Sequence, residues 1–84
     1  LEQNGITERG AKALATSSAL TKLTSLNLVD NKIGDRGALA IANSDTLSNL
    51  TYLHLGGNRI KSEETKKVLR ESKKLTQLKT LKAF

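Results

Sequence analysis

His54 is the only histidine of the chain, and it stands two residues after Tyr52, the only tyrosine, in the string LTYLHLGGNRI at 50–60. An imidazole invites a catalytic reading, with Ser25 as nucleophile, His54 as its base and Asp30 as the carboxylate that orients the ring. Three polar residues on one small sheet would share a face in any case, and no cysteine is present to serve as a stronger nucleophile. The ligand clusters that zinc and other transition metals require are absent as well. GGNR at 56–59 lacks the lysine and the serine or threonine that follow the glycines of a phosphate loop. The chain is therefore expected to have no catalytic residues, no metal site and no cofactor, and its polar side chains are expected to be displayed for contact.

What displays them is a repeat. LTSLNLVDNKI at 23–33 overlays LTYLHLGGNRI with an offset of 27, and LEQNGI at 1–6 overlays the end of both. Asn4, Asn31 and Asn58 keep that step, as do Ile6, Ile33 and Ile60, and Leu14, Ile41 and Val68. After Lys61 the register slips by one, so that Leu47, Leu50 and Leu53 recur 28 residues on as Leu75, Leu78 and Leu81. Within each unit, alternation around Leu26 and Leu28, or Leu53 and Leu55, is the spacing of a short strand with one buried face. Downstream, Ala11, Leu14 and Ala15, then Ala38, Ile41 and Ala42, then Val68, Leu69 and Leu75, follow the three-to-four spacing of a helix with a buried stripe. Thr7 or Glu8, Asp35 and Ser62 are placed to cap the helix starts. Each strand returns through a helix, so the strands are expected to be parallel.

The asparagines stand where the chain must turn sharply out of a strand, exposing backbone groups that the next strand cannot pair. A side-chain amide offers both donor and acceptor, so Asn4, Asn31 and Asn58 are expected to form a structural ladder through successive units.

An 84-residue chain makes one small domain and hides only about 60 to 65% of its unfolded surface. Tyr52 and Phe84 are its only aromatic residues, which leaves the core to leucine, isoleucine and alanine. Without cysteine there is no disulfide scaffold, a pattern that fits a reducing compartment. The longest apolar run, Ala38 to Ala42, falls far short of the roughly 20 residues of a membrane helix, and no leader-like stretch opens the chain, which is expected to be soluble. The net charge of +6 is uneven: residues 1–58 hold five basic and five acidic side chains, 59–84 nine and three. Lys66, Lys67, Arg70, Lys73 and Lys74 are expected on the outer face of the third helix, with Glu63, Glu64 and Glu71 diluting the field and pairing at helical spacing with Lys67 and Lys74. Such a strip would suit nucleic acid, yet it has no interleaved aromatics to stack bases, and a solvated helix face is the better reading.

The pattern LxxLxLxxNxIxxxG is met in full from Leu23 to Gly37, and again from Leu50 to Ile60 with Glu64 in place of the glycine. With these motifs the chain resembles leucine-rich repeat proteins of the ribonuclease-inhibitor-like subclass. GAKALA at 10–15, echoed by GALAIA at 37–42, also resembles repeats of effectors that bacterial pathogens deliver into eukaryotic cells, some of which carry an F-box; none is visible here. The resemblance implies an α/β solenoid of about three repeats of 27–28 residues, with parallel strands on a concave face and helices on a convex one. The whole of 1–84 forms the domain, with repeats at 1–22, 23–49 and 50–77 and a partial one at 78–84. Leu1 aligns with the end of a strand, so the chain reads as a fragment of a longer solenoid, partly capped by its charged third helix.

In this family the residues between the strand leucines face the partner. Here they are Ser25, Asn27, Val29 and Asp30, then Tyr52 and His54, then Thr80, Lys82 and Phe84, with Glu2 and Gln3 flanking. Strand spacing of about 4.8 Å sets Tyr52 beside Ser25, and His54 between Asn27 and Lys82. The resemblance implies a non-catalytic scaffold binding a protein partner on that face, either in a cytoplasm or secreted by a bacterium into a host cytoplasm. The alternative is electrostatic docking of nucleic acid or an anionic membrane through the basic third repeat, without any membrane span. The open ends of the stack, with Leu1, Leu26, Leu78 and Leu81 partly in water, are expected to support head-to-tail self-association, since the basic C-terminal ends repel one another.

Overall fold

A computed structural model describes residues 5–82. Helix and strand alternate along it: α1 (Glu8–Thr16), a 3₁₀ turn (Ser18–Leu20), β1 (Ser25–Asn27), α2 (Gly34–Ala42), β2 (Tyr52–His54), α3 (Glu63–Arg70) and β3 (Thr80–Lys82). The strands form one open parallel sheet in the order β1-β2-β3. Its register sets Ser25, Tyr52 and Thr80 side by side, then Leu26, Leu53 and Leu81, then Asn27, His54 and Lys82. The strand–helix alternation and the open sheet make this an α/β solenoid of about three units, as the repeat predicts. Leu1, Glu2, Gln3, Asn4 and Phe84 lie outside the described residues.

Leucine at every second strand position gives the sheet one apolar face, and the helices bury it with their alanine and isoleucine stripes. Leu28, Ile41, Leu47, Leu50, Leu53 and Leu55 are completely buried, as are Ala11 and Ala38. Leu26, expected to lie partly open, is 5% exposed. Leu14 and Leu20 of the first unit, together with Leu23, pack against the core and supply the cover that a reading of the strand alone does not foresee. Leu78 and Leu81 remain half-buried.

The exits of β1 and β2 are each closed by an asparagine that is almost fully buried, Asn31 and Asn58. Asn31 Nδ2 donates to the Leu28 carbonyl at 2.8 Å, and its Oδ1 accepts the Ile6 N–H of the unit before it at 3.0 Å. Asn58 Nδ2 donates to the carbonyls of Leu55 at 2.9 Å and Leu28 at 2.7 Å, while its Oδ1 accepts the Ile33 N–H at 3.4 Å. One amide thus satisfies backbone groups of two successive units in a place that water does not reach.

The helix ends differ from expectation at several points. Thr7 precedes α1 without a side-chain cap, and α2 begins at Gly34, which moves Asp35 into the first turn. The Asp35 carboxylate serves the next unit instead, accepting the N–H groups of Ser62 at 3.0 Å and Lys61 at 3.1 Å. Ser62 does cap α3, its hydroxyl accepting from the Thr65 N–H. That helix stops at Arg70, so Lys73, Lys74 and Leu75 lie beyond it. The Ser72 hydroxyl accepts the N–H groups of Lys74 and Leu75 and donates to the Ala42 carbonyl one unit back. Ser44 repeats this arrangement with Thr46, Leu47 and Ala15. Two of the expected charge pairs also re-form elsewhere: Lys66 takes Glu63 at 3.0 Å, and Lys74 reaches Asp45 of the preceding unit.

Replacing Leu53 by alanine is expected to cost about 2 to 5 kcal/mol through the cavity it leaves. Asn31→Ala is expected to cost about 1 to 3 kcal/mol through stranded backbone groups. Urea unfolding of both variants checks the two values. Asp35 is also a pH sensor of stability, because the Ser62 N–H bond, followed by that of Lys61, holds its carboxyl below the usual value. A lowered folded-state pKa gives stability that is present above the unfolded value and is lost as pH falls through the folded one. Asp35→Asn should therefore flatten the acid limb of a stability-versus-pH curve measured by thermal melts.

Candidate functional site

The strand face opposite the leucines is left uncovered by the helices, and the register decides who meets whom on it. Tyr52 and His54 are next-but-one neighbours on β2, so they share this face. Their rings meet edge to face with centroids 6.4 Å apart and planes at 80°. Lys82 is opposite His54 on β3, and its ammonium lies 6.0 Å from the centroid of the Tyr52 ring. Ser25 and Thr80 flank Tyr52 on either side and are exposed, as is Lys82.

The orientation of His54 comes from the backbone. Its Nδ1 lies 3.2 Å from the Gly56 N–H and 3.0 Å from the Lys82 carbonyl. That carbonyl already accepts the Leu55 N–H at 2.6 Å, whereas His54 Nδ1 is the acceptor for Gly56. The equivalent amide one unit earlier, Val29 N–H, is taken in the same way by Asn27 Oδ1 at 3.1 Å. The Gly56 bond belongs to the tautomer whose Nδ1 is unprotonated, and in that tautomer the ring N–H is at Nε2. Gly56 leaves room for this arrangement, since a Cβ there would stand 2.8 Å from His54 Cε1. Gly57, with φ of +71°, leads the chain past the Asp30 side chain.

Backbone groups orient the His54 ring, the Gly56 N–H and the Lys82 carbonyl both lying at Nδ1, and Asp30 lies past the end of β1, where its N–H donates to the Gly56 carbonyl at 2.9 Å. Among the described residues no group of three histidine, cysteine or acidic side chains could hold a metal ion, and no helix is long and apolar enough to cross a membrane. Of the expected contact residues, the sheet brings together Ser25, Asn27, Tyr52, His54 and Lys82; Asp30 follows the end of β1, with φ of +57°. Phe84 lies outside the described residues.

Sequence reasoning missed the hydrogen bonds that hold this face in place from behind. Asn49 Nδ2 donates to the Thr21 carbonyl and Gln77 Nε2 to Asn49 Oδ1, linking the approaches to all three strands. The 28-residue step from Thr21 to Asn49 to Gln77 was visible, but three different residue types hid it.

A family model described as Leucine Rich repeat matches residues 19–42 and 46–63, half of the chain. The chain belongs to the leucine-rich repeat family. Each matched stretch contains one strand of the sheet, β1 in the first and β2 in the second. Leucine-rich repeats are generally binding scaffolds for proteins and carry out no catalysis themselves. No curated protein and no solved structure matches the chain.

Proposed function

We propose that this leucine-rich repeat domain is a non-catalytic scaffold that binds a protein partner along the concave strand face, with Tyr52, His54 and Lys82 at the centre of the contact. The observation that carries this reading is the packing of those three side chains against one another on an uncovered sheet face. An aromatic ring held by its neighbours loses little freedom on binding, which is why such residues make effective contacts. The helix in every described unit, together with the LxxLxLxxNxI pattern, supports the ribonuclease-inhibitor-like subclass. GAKALA and GALAIA support a role as part of a bacterial effector acting in a host cytoplasm.

Polyanion docking through the third repeat is weakened by the commitment of Lys66 to Glu63 and of Lys74 to Asp45. Capture of partners from a lysate separates the two readings. The double variant Tyr52→Ala/His54→Ala should lose the partner, while the reversal Lys66→Glu/Lys67→Glu/Arg70→Glu should keep it. Loss confined to the second variant, with steep weakening as salt rises, would favour polyanion docking.

The ends of the stack support a second proposal, head-to-tail association of the 84-residue chain. Leu69, Leu75, Leu78 and Leu81 line a groove of about 440 Å³ at one end, and Ile6, Ala13, Leu14 and Leu20 line an apolar groove of about 500 Å³ at the other. Sedimentation velocity should show mass rising with concentration, and Leu81→Glu should suppress it.

A further inference from the structure

Among the described strand residues, charge stands at one end of the concave face only. The three strands read SLN, YLH and TLK, so none contributes a carboxylate, and their one cation is Lys82. Lys82 differs from the basic residues of the convex side that are already in ion pairs. Lys66 and Lys74 have Glu63 and Asp45, whereas Lys82 is exposed and, among the described residues, its ammonium meets only the face of Tyr52. A cation over an aromatic ring keeps most of its hydration and remains open to an anion.

Two further donors stand beside it. In the tautomer that accepts from Gly56, the His54 N–H is at Nε2, which has no partner among the described residues. The Tyr52 hydroxyl has none there either, although its ring is half-buried. The β2–β3 end of the face thus offers an ammonium, an imidazole N–H and a phenol O–H, with no carboxylate from the strands. Carboxylate oxygens fit such a set, since charge-assisted bonds from these groups are roughly twice as strong as neutral ones.

We propose that the β2–β3 end of the concave face recognises an acidic segment of its protein partner, whose carboxylates meet Lys82 Nζ and His54 Nε2 while an apolar neighbour lies on Tyr52. This rests on the concave-face reading and names the partner chemistry. The β1 end, where Ser25 and Asn27 are uncharged, tolerates neutral residues, so acidic groups of the partner concentrate at one end of its footprint.

The test uses the 84-residue chain and three fluorescent peptides that share one scaffold containing tyrosine and leucine and differ only in carrying glutamate, glutamine or lysine. Anisotropy should show the glutamate peptide binding about tenfold tighter than the glutamine one at low salt. Lys82→Glu should abolish that preference, whereas Lys67→Glu, an identical charge change on the convex side, should leave it within about twofold. Long-range nitrogen–proton correlation spectra of His54 should show the proton on Nε2 and a shift when the glutamate peptide binds. Equal weakening by Lys82→Glu and Lys67→Glu would reduce the effect to general attraction and overturn the proposal, as would absence of binding at about 1 mM peptide. If the glutamate and glutamine peptides bind equally and Tyr52→Ala abolishes both, the acidic preference falls and the concave-face reading stands. If Tyr52→Ala leaves binding unchanged, both fall.

Discussion

A stack of parallel strands must leave its sheet once in every unit, and at each exit the chain buries backbone donors and acceptors that no strand can pair. The other features of this molecule depend on how that demand is met. Asn31 and Asn58 meet it with one side-chain amide apiece, each joining its own strand to the unit before it. Because the bonds are made across units, they fix the relative height of successive strands. That height sets Leu26, Leu53 and Leu81 in one row and Ser25, Tyr52 and Thr80 in the next. A one-residue slip would turn every leucine outward, so the asparagines and the leucine core enforce the same register.

The remaining cross-unit bonds extend this logic around the molecule. Ser44 and Ser72 tie the turns after α2 and α3 to the ends of the preceding helices. Asp35 ties the start of α2 to the chain entering α3, and Asn49 ties the approaches to the strands. All of these reach only the adjacent unit, as expected where stability is a sum of unit and neighbour terms. Surface ion pairs such as Lys12–Glu8 contribute much less, because both partners remain in water.

The fold was legible in the sequence to the extent that burial leaves a position no choice. Leu53 and Asn58 are enclosed on all sides, so their types recur, and a recurring type reveals the period and hence the pairing of Tyr52 with Ser25. Positions that act through a backbone partner in another unit were hidden. Asp35 has the composition of a helix cap, and only the start of α2 at Gly34 shows that its carboxylate faces the following unit. Lys73 and Lys74 continue a helical charge pattern, yet Ser72 has already ended the helix. On the strand face the sequence shows which side chains are neighbours. It does not show which nitrogen of His54 is committed, because that depends on where the Gly56 amide and the Lys82 carbonyl fall.

The change of step from 27 to 28 falls after Lys61, and the structure places it at the entry to α3: Ile60 follows Ile33 by 27 residues, whereas the buried Thr65 and Leu69 follow the buried Gly37 and Ile41 by 28, and the strands keep register. The extra residue is absorbed on the outer side of the stack, in the segment where Asp35 holds Lys61 and Ser62. Unit length and strand register are thereby uncoupled here: a helix entry differs by a residue from one unit to the next, and the side chains that are neighbours on the strand face stay the same.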